Sequence, residues 1–159
     1  MTQISESVDR RLSELGIELP DVPTPVANFV PFRRHGDLIY LAGQVCEWNG
    51  EVRFVGKVGT DYDLAQAQQA ARVCGLNLIA ALRLACGGSL ERVSYCLRLG
   101  GFVNCTPDFT AQPKVVNGAS DLLVAVFGDR GRHARAAVGV AALPGDAPVE
   151  IELVAEVAD

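Results

Sequence analysis

HARAAVGVAALPGDAPVEIELVAEV, residues 133–157, is the stretch of the chain that decides its fold. Apolar side chains alternate along both halves, and Leu143-Pro144-Gly145-Asp146 between them has the composition of a turn. The pattern predicts two β-strands joined as a hairpin. Arg135 opens the first strand and Glu150 lies in the second, so the two side chains could lie close together in a suitable register.

The two charged residues of this hairpin have two interpretations. A guanidinium can bind a carboxylate through two parallel hydrogen bonds, and a nearby carboxylate can hold a water or move a proton. Arg135 and Glu150 would then form a site for a small carboxylic acid. Alternatively, both residues belong to the solvent-facing side of their strands, which is the commoner case for charged strand residues.

The composition indicates one domain and argues against several classes of function. The chain has 159 residues, of which 49% are hydrophobic, which suits a single core with some apolar surface buried between subunits. The net charge is −5 and no basic stripe is present, so no nucleic-acid partner is expected. No apolar run is long enough to span a bilayer, so no membrane partner is expected either. The polar start, MTQISESVDRR, does not resemble a signal peptide and predicts a cytoplasmic location.

The cysteines and histidines give no sign of a metal site. Five cysteines occur without a CxxC pair and in apolar surroundings, which indicates structural thiols rather than disulfides or metal ligands. His35 and His133 lack the spacing of zinc ligands. No metal is therefore expected.

Hydrophobic periodicity predicts an α+β domain with helices packed on one face of a mixed sheet. Before the final hairpin, the pattern predicts helices over residues 4–15, 62–86 and 117–127, strands over residues 37–45 and 92–104, and an Asn49-Gly50 turn with a returning strand after it. The third helix should be capped near Ser120, and Gly100-Gly101 suggests a bulge in its strand. Residues 1–24 form an N-terminal helix and proline-rich arm, and residues 25–159 the main domain.

Roughly residues 25–157 resemble the RidA/YjgF family of small imine deaminases, also described as the endoribonuclease L-PSP family. The resemblance is carried by these motifs: LIYLAGQV at residues 38–45, AAxxCxxN in the long helix, PxxVNGAS at residues 113–120, and the closing stretch. It implies a chorismate-mutase-like fold and a homotrimer with ligand clefts between adjacent subunits. The PxANFVP and VNGASDLL segments and the extra N-terminal helix indicate a divergent branch.

The resemblance also implies roles for individual residues. Arg135 matches the arginine that binds the substrate carboxylate, and Glu150 matches the glutamate that positions the attacking water. Asn117 matches a cleft asparagine, and Gly43 a glycine where backbone can approach a ligand. Glu152 shares the face of Glu150 and takes its role if the alignment slips by two residues.

Three positions depart from the family pattern. Phe29 stands where the family has a cleft tyrosine, so the ring is kept and the hydroxyl is lost. Ala42 replaces a common serine, and Ala137 replaces a small Cys or Thr, although the backbone N–H at 137 can still donate to a ligand.

The sequence is therefore compatible with three functions. The first, an enzyme, is hydrolysis of small enamine or imine intermediates derived from amino acids to a 2-keto acid and ammonia, which needs no cofactor because an iminium carbon is already electrophilic. The second is a trimer that binds or senses a small carboxylate without turnover, which the lost hydroxyls favour. The third, a ribonuclease or translation inhibitor, is disfavoured by the acidic charge and the missing basic groove.

Overall fold

The computed structural model describes residues 7–159, and its sheet carries three helices. The helices are α1 (Val8–Glu14), α2 (Leu64–Ala85) and α3 (Gln112–Phe127). The strands are β1 (Phe32–His35), β2 (Leu38–Val45), β3 (Glu47–Trp48), β4 (Glu51–Val52), β5 (Val93–Asn104), β6 (Ala134–Val140) and β7 (Val149–Val157). Five strands form one mixed sheet in the order β1-β2-β7-β5-β6, and β3 and β4 form a separate two-stranded ribbon. The predicted α+β class is confirmed.

The predicted hairpin between the last two strands is wrong. β7 pairs antiparallel with β2 on one side and β5 on the other, whereas β6 lies at the sheet edge and runs parallel to β5. Residues 141–148 cross the end of β5, where the Asn104 amide donates to the Ala147 carbonyl and the Asp146 carboxylate at 3.2 and 3.1 Å. Turn residues in a sequence indicate where the chain changes direction, but they do not indicate which strand the next segment pairs with.

The two long helices cover one face of the sheet, as predicted, and pack closely against each other. Alternate β7 residues, including Val149, Ile151 and Leu153, are buried beneath them. The helix pair uses small residues at its contact: a Cβ at Gly118 would collide with the backbone carbonyl of Gln68. The glycine of the VNGAS motif therefore lets α3 approach α2.

The observed helices and strands differ from the predictions in three places. α3 begins at Gln112 with a proline in its first turn, so Ser120 lies inside the helix and is not its cap. β1 was not predicted, because its four residues follow directly on the proline-rich segment. The Gly100-Gly101 pair lies in regular register, and the irregularities of β5 fall earlier, between residues 93 and 98.

The first two helices follow the sequence pattern closely. α1 is observed at Val8–Glu14, with Val8 and Leu12 buried in the core, and residues 4–6 of the predicted helix lie outside the described residues. α2 begins after Asp63, whose carboxylate accepts from the Gln66 N–H in a capping box. No helix within residues 7–159 is both long and apolar enough to cross a membrane.

The cysteines are free thiols, and four of the five are buried. Burial raises the pKa of Cys96 to about 12 and also raises the pKa values of Cys46, Cys74 and Cys86. Because the thiolate is the reactive form, these four side chains act as small apolar core residues.

Candidate functional site

Glu150 lies on the face of the sheet that the helices leave open, against the backbone of Gly43. Its neighbours Val149 and Ile151 point into the core, so alternation along β7 directs Glu150 to the opposite side. The β2–β7 register shifts between Leu41 and Gln44, which is the bulge that contains Gly43. A Cβ at residue 43 would lie 3.2 Å from Glu150 Cδ and closer still to Oε1. Only glycine lets the carboxylate occupy this position.

Two adjoining cavities share Phe29, Gly43 and Glu150 as lining residues. The larger, of about 620 Å³, extends along β1 and β2 and includes Arg33 and Tyr40. The second, of about 390 Å³, lies beneath the proline-rich segment. Its apolar lining residues are Pro23, Pro25, Val26, Ala27, Phe29, Pro31, Val45 and Pro144. The Glu150 carboxylate thus lies at the junction of an open cleft and an apolar cavity.

Burial raises the pKa of Glu150, and the nearby charge of Glu152 raises it further. A carboxyl with a raised pKa exchanges protons nearer neutral pH, which suits a general acid or base. Glu152 lies on the same face but is exposed and packs over Gly100, where a Cβ would lie 2.7 Å from its Oε1. Of the two candidate glutamates, Glu150 is therefore the one that lines the cavities beside Phe29 and Gly43.

Arg135 lies on the edge strand β6 and is held by α3. Its Nη1 donates to Ser120 Oγ at 3.0 Å, and its Nη2 donates to the Pro113 carbonyl at 2.8 Å. Within residues 7–159, no carboxylate forms an ion pair with it. A half-buried guanidinium anchored by neutral groups keeps its charge available for an anion.

Asn117 and Ala137 lie on the same side of the sheet as Arg135. Asn117, inside α3, lines a cavity of about 240 Å³ with Arg135. Ala137 pairs with Gly101, two residues beyond Arg135 on β6, and packs against the core. The predicted site residues therefore form two groups: Asn117, Arg135 and Ala137 in one, and Phe29, Gly43 and Glu150 in the other.

The two groups lie on opposite faces of the sheet. Leu99 of β5 lies opposite Arg135 of β6 on one side and opposite Leu153 of β7 on the other. The three side chains therefore point to the same face of the sheet, the one that the helices cover. Glu150 is an odd number of residues from Leu153 and points the other way. Arg135 and Glu150 are also about 10 Å apart across the strands, which is two strand spacings, and about 10 Å apart along the strands, which is three residues. The proximity expected from a hairpin is wrong within one chain, because β5 lies between the two strands.

Sequence reasoning missed two residues of the Arg135 group, Ser120 and His133. The Ser120 hydroxyl lies 2.9 Å from His133 Nε2, and His133 Nδ1 lies 2.7 Å from the Gly131 carbonyl. Burial, together with the charge of Arg135, lowers the pKa of His133. The spacing of Asn117 and Ser120 places them on one face once the helix is known to start at Gln112.

The open face of the sheet and the free edge of β6 carry exposed apolar side chains. Tyr40, Tyr95 and Val138 are 48%, 53% and 46% exposed. Their strand partners, Val154, Glu156 and Phe102, place them on the same side as Glu150. Exposed apolar side chains on an open sheet face, next to a strand with one unpaired edge, are typical of a surface that another chain covers.

Comparison with known proteins agrees with this fold. Protein TCP17 of Trypanosoma cruzi is 40% identical over 153 residues, which cover 96% of this chain and 95% of that protein. The solved structure of Atu1372 from Agrobacterium tumefaciens, a protein of unknown function, is 44% identical, with a TM-score of 0.89 over 95% of this chain and 92% of that one.

A solved structure named RidA is more distant. RidA of the Antarctic bacterium Psychrobacter sp. PAMC 21119 is 27% identical, with a TM-score of 0.59 over 86% of this chain and 94% of that one. The higher structural similarity to Atu1372 agrees with a branch that diverges from RidA itself. The family pattern matches residues 9–157, and the chain therefore belongs to the YjgF/chorismate mutase-like endoribonuclease family.

Proposed function

We propose that this protein hydrolyses small imine or enamine intermediates derived from amino acids, in a cleft between two copies of the chain. The observation that supports this most directly is the split of the site. Arg135 is a guanidinium without a carboxylate partner in the described chain, and Glu150 is a carboxyl with a raised pKa, yet they lie on opposite faces of one sheet. A second copy brings an Arg135 to the Glu150 of the first.

In this cleft Arg135 binds the carboxylate of a 2-imino acid, and Glu150 accepts a proton from a water molecule. The water oxygen bonds to the imine carbon, and the C=N π electrons move to nitrogen, which takes up a proton from solvent. The C–N bond of the resulting carbinolamine then breaks as the carbonyl forms, and the hydroxyl proton passes to solvent. Glu150 returns its proton to the departing nitrogen, so the products are a 2-keto acid and ammonia and the enzyme is unchanged.

Assembly as a homotrimer is part of the proposal. The exposed residues Tyr40, Tyr95 and Val138 lie on the sheet face that carries Glu150, and strand β6 leaves one edge unpaired. Burial of such a surface between identical chains is a common route to closed symmetric oligomers. A trimer of this kind contains three equivalent clefts.

The apolar cavity beside Glu150 indicates which imino acids fit. Its walls are mostly proline, valine and phenylalanine side chains, and its volume of about 390 Å³ lies within the range of small-molecule sites. The proposed ligand is therefore a 2-imino or 2-keto acid with an apolar side chain, whose carboxylate reaches Arg135 and whose side chain enters this cavity.

The test separates binding from turnover. Imines are generated in situ with an amino-acid oxidase, keto-acid release is followed, and keto-acid binding is measured by calorimetry. Arg135→Ala should weaken binding by about 2–5 kcal/mol, and Arg135→Lys should restore little because an ammonium lacks the planar fork. Arg83→Ala is the matched control, since Arg83 lies on α2, lines none of the three cavities and is paired with Asp9 at 3.4 Å. Equal binding by the Arg135→Ala variant would refute the assignment.

A carboxylate-binding trimer without turnover is the second candidate. Phe29 and Ala42 favour it, because each removes a hydroxyl that the family commonly places in the cleft. A wild-type protein that binds keto acids but accelerates the release of none, across several imines, would be such a binding protein. RNA cleavage is not expected, since a chain of net charge −5 repels a phosphate backbone.

A further inference from the structure

We propose that Ser120 and His133 are positioning residues that set the anion affinity of Arg135, and that protonation of His133 makes this affinity depend on pH. The inference rests on the proposed function only in taking Arg135 as the carboxylate-binding group. It concerns a hydrogen-bonded chain of four groups: the Gly131 carbonyl, the His133 ring, the Ser120 hydroxyl and the Arg135 guanidinium.

The directions of these hydrogen bonds follow from the chemistry of each group. A carbonyl oxygen only accepts, so the 2.7 Å contact between the Gly131 carbonyl and His133 Nδ1 places the ring proton on Nδ1. In the neutral ring, Nε2 is then an acceptor, and the Ser120 hydroxyl donates to it at 2.9 Å. Arg135 Nη1 is a donor and can only donate to Ser120 Oγ, at 3.0 Å. Every group in the chain is satisfied in one arrangement.

This arrangement fixes the guanidinium from one side. Ser120 Oγ and the Pro113 carbonyl, both on α3, accept from different terminal nitrogens of Arg135. A guanidinium has five N–H donors, so the two used here orient its plane and leave others for a ligand. The rotamer entropy of a long side chain is then lost on folding, before any ligand binds.

Protonation of His133 changes what the cavity offers an anion. Nε2 becomes a donor to Ser120 Oγ, so the hydroxyl proton must turn away from the ring and becomes available to another acceptor. The cavity also gains a positive charge. Asp121, from α3, and Arg132 are the other charged side chains that line it. We therefore expect anions to bind more tightly as the pH falls.

The coupling must also act in the reverse direction. The charge of Arg135 helps to lower the pKa of His133. An anion bound to Arg135 offsets that charge, so it should raise the pKa of His133 by the amount that corresponds to its own gain in affinity. This reciprocal shift distinguishes a coupled histidine from one that only supports the fold.

The experiment measures binding of 2-ketobutyrate by calorimetry at one pH below and one pH above the pKa of His133, which NMR titration locates. A Glu150→Gln background removes the carboxyl that the proposed cleft brings to the ligand from the other subunit. We expect binding to tighten about threefold or more at the lower pH. His133→Gln keeps a neutral acceptor for Ser120, so it should match the parent at the higher pH and lose the pH dependence. Ser120→Ala should bind about tenfold more weakly, and Ser120→Thr should restore the affinity.

NMR titration of His133 supplies the second measurement, and its comparison of Arg135→Gln with the parent protein needs no ligand. Arg135→Gln should raise the pKa of His133, and in the parent protein saturating 2-ketobutyrate should raise it as well. Equal affinity at both pH values while His133 titrates between them would refute the coupling and leave the proposed function standing. No binding of 2-ketobutyrate at either pH, with an unchanged His133 pKa in Arg135→Gln, would refute both. No binding with a raised pKa would refute the carboxylate site alone.

Discussion

Gly43→Ala should slow catalysis about 100-fold while leaving the fold intact, because its added methyl group meets a side chain and not the backbone. The new Cβ would lie 3.2 Å from Glu150 Cδ and 3.4 Å from Cγ, and closer to Oε1. Restoring ordinary contact requires the carboxylate oxygen to retreat by about 1 Å. A displacement of that size in a catalytic group costs about 100-fold in rate.

The stability change should be small, since the carboxylate is the free end of a flexible side chain. Replacing glycine also lowers the entropy of the unfolded chain, which stabilises the folded protein by about 0.4–1 kcal/mol and offsets part of the energetic cost of the close contact. Gly118→Ala is the matched control. Its Cβ would collide with the backbone carbonyl of Gln68 in the neighbouring helix, and neither helix can move cheaply. We expect about 1–3 kcal/mol of destabilisation there, which lowers the melting temperature by about 2–10 °C.

The assay pairs a thermal melt with the rate of keto-acid release from an imine generated in situ. We expect a stable Gly43→Ala protein with a much lower rate, and a destabilised Gly118→Ala protein. A Gly43→Ala variant that retains the wild-type rate would show that Glu150 does not act from the position it occupies against β2. A melting temperature lowered as far as that of Gly118→Ala would mean that the loss of rate reflects a damaged fold.

Three further outcomes are expected. Glu150 must be deprotonated to accept a proton from water. Because its pKa is raised, the rate should begin to fall, as the pH is lowered, at a higher pH than an ordinary glutamate would give. Glu150→Gln should bind keto acids without turnover. Val138→Glu should dissociate the assembly in sedimentation experiments, whereas Leu84→Glu, equally exposed on the helix layer, should not. Imines derived from leucine should give a higher kcat/KM than those from alanine, because each buried CH₂ contributes about 0.8 kcal/mol. An unchanged pH profile, an intact Val138→Glu oligomer or a preference for alanine would contradict the respective argument.

The fold class and the helix layer could be predicted because they depend on local periodicity. The alternation along β7 correctly identified which residues face the core, and the spacing of α2 correctly identified a long helix with a closely packed face. Strand order could not be obtained in this way. The last two strands are adjacent in sequence, but α3 returns the chain parallel to β5, and β7 then enters between β5 and β2. Pairing across a sheet depends on contacts distant in sequence, which a periodic pattern does not encode.

The sequence proposed the residues of the candidate site one by one, and their arrangement could not be predicted from it. Arg135 and Glu150 were assigned from a family resemblance, and a hairpin register would have placed them together. Their opposite faces follow only from the position of β5 between them. Ser120 and His133 were missed for a related reason. They lie on a helix and just before a strand, and no motif connects them until the two elements pack together.

The division of the site between two faces of one sheet has a genetic consequence. If each cleft takes its arginine from one subunit and its glutamate from the next, an Arg135→Ala chain and a Glu150→Gln chain carry different defects that a mixed assembly can repair. Co-expressed in equal amounts and assembled at random, the two inactive alleles should regenerate about one quarter of the wild-type sites, since a cleft functions when each neighbour supplies its intact residue. Two differently mutated copies of the gene would thus restore together an activity that neither restores alone, because each active site is completed by the neighbouring subunit.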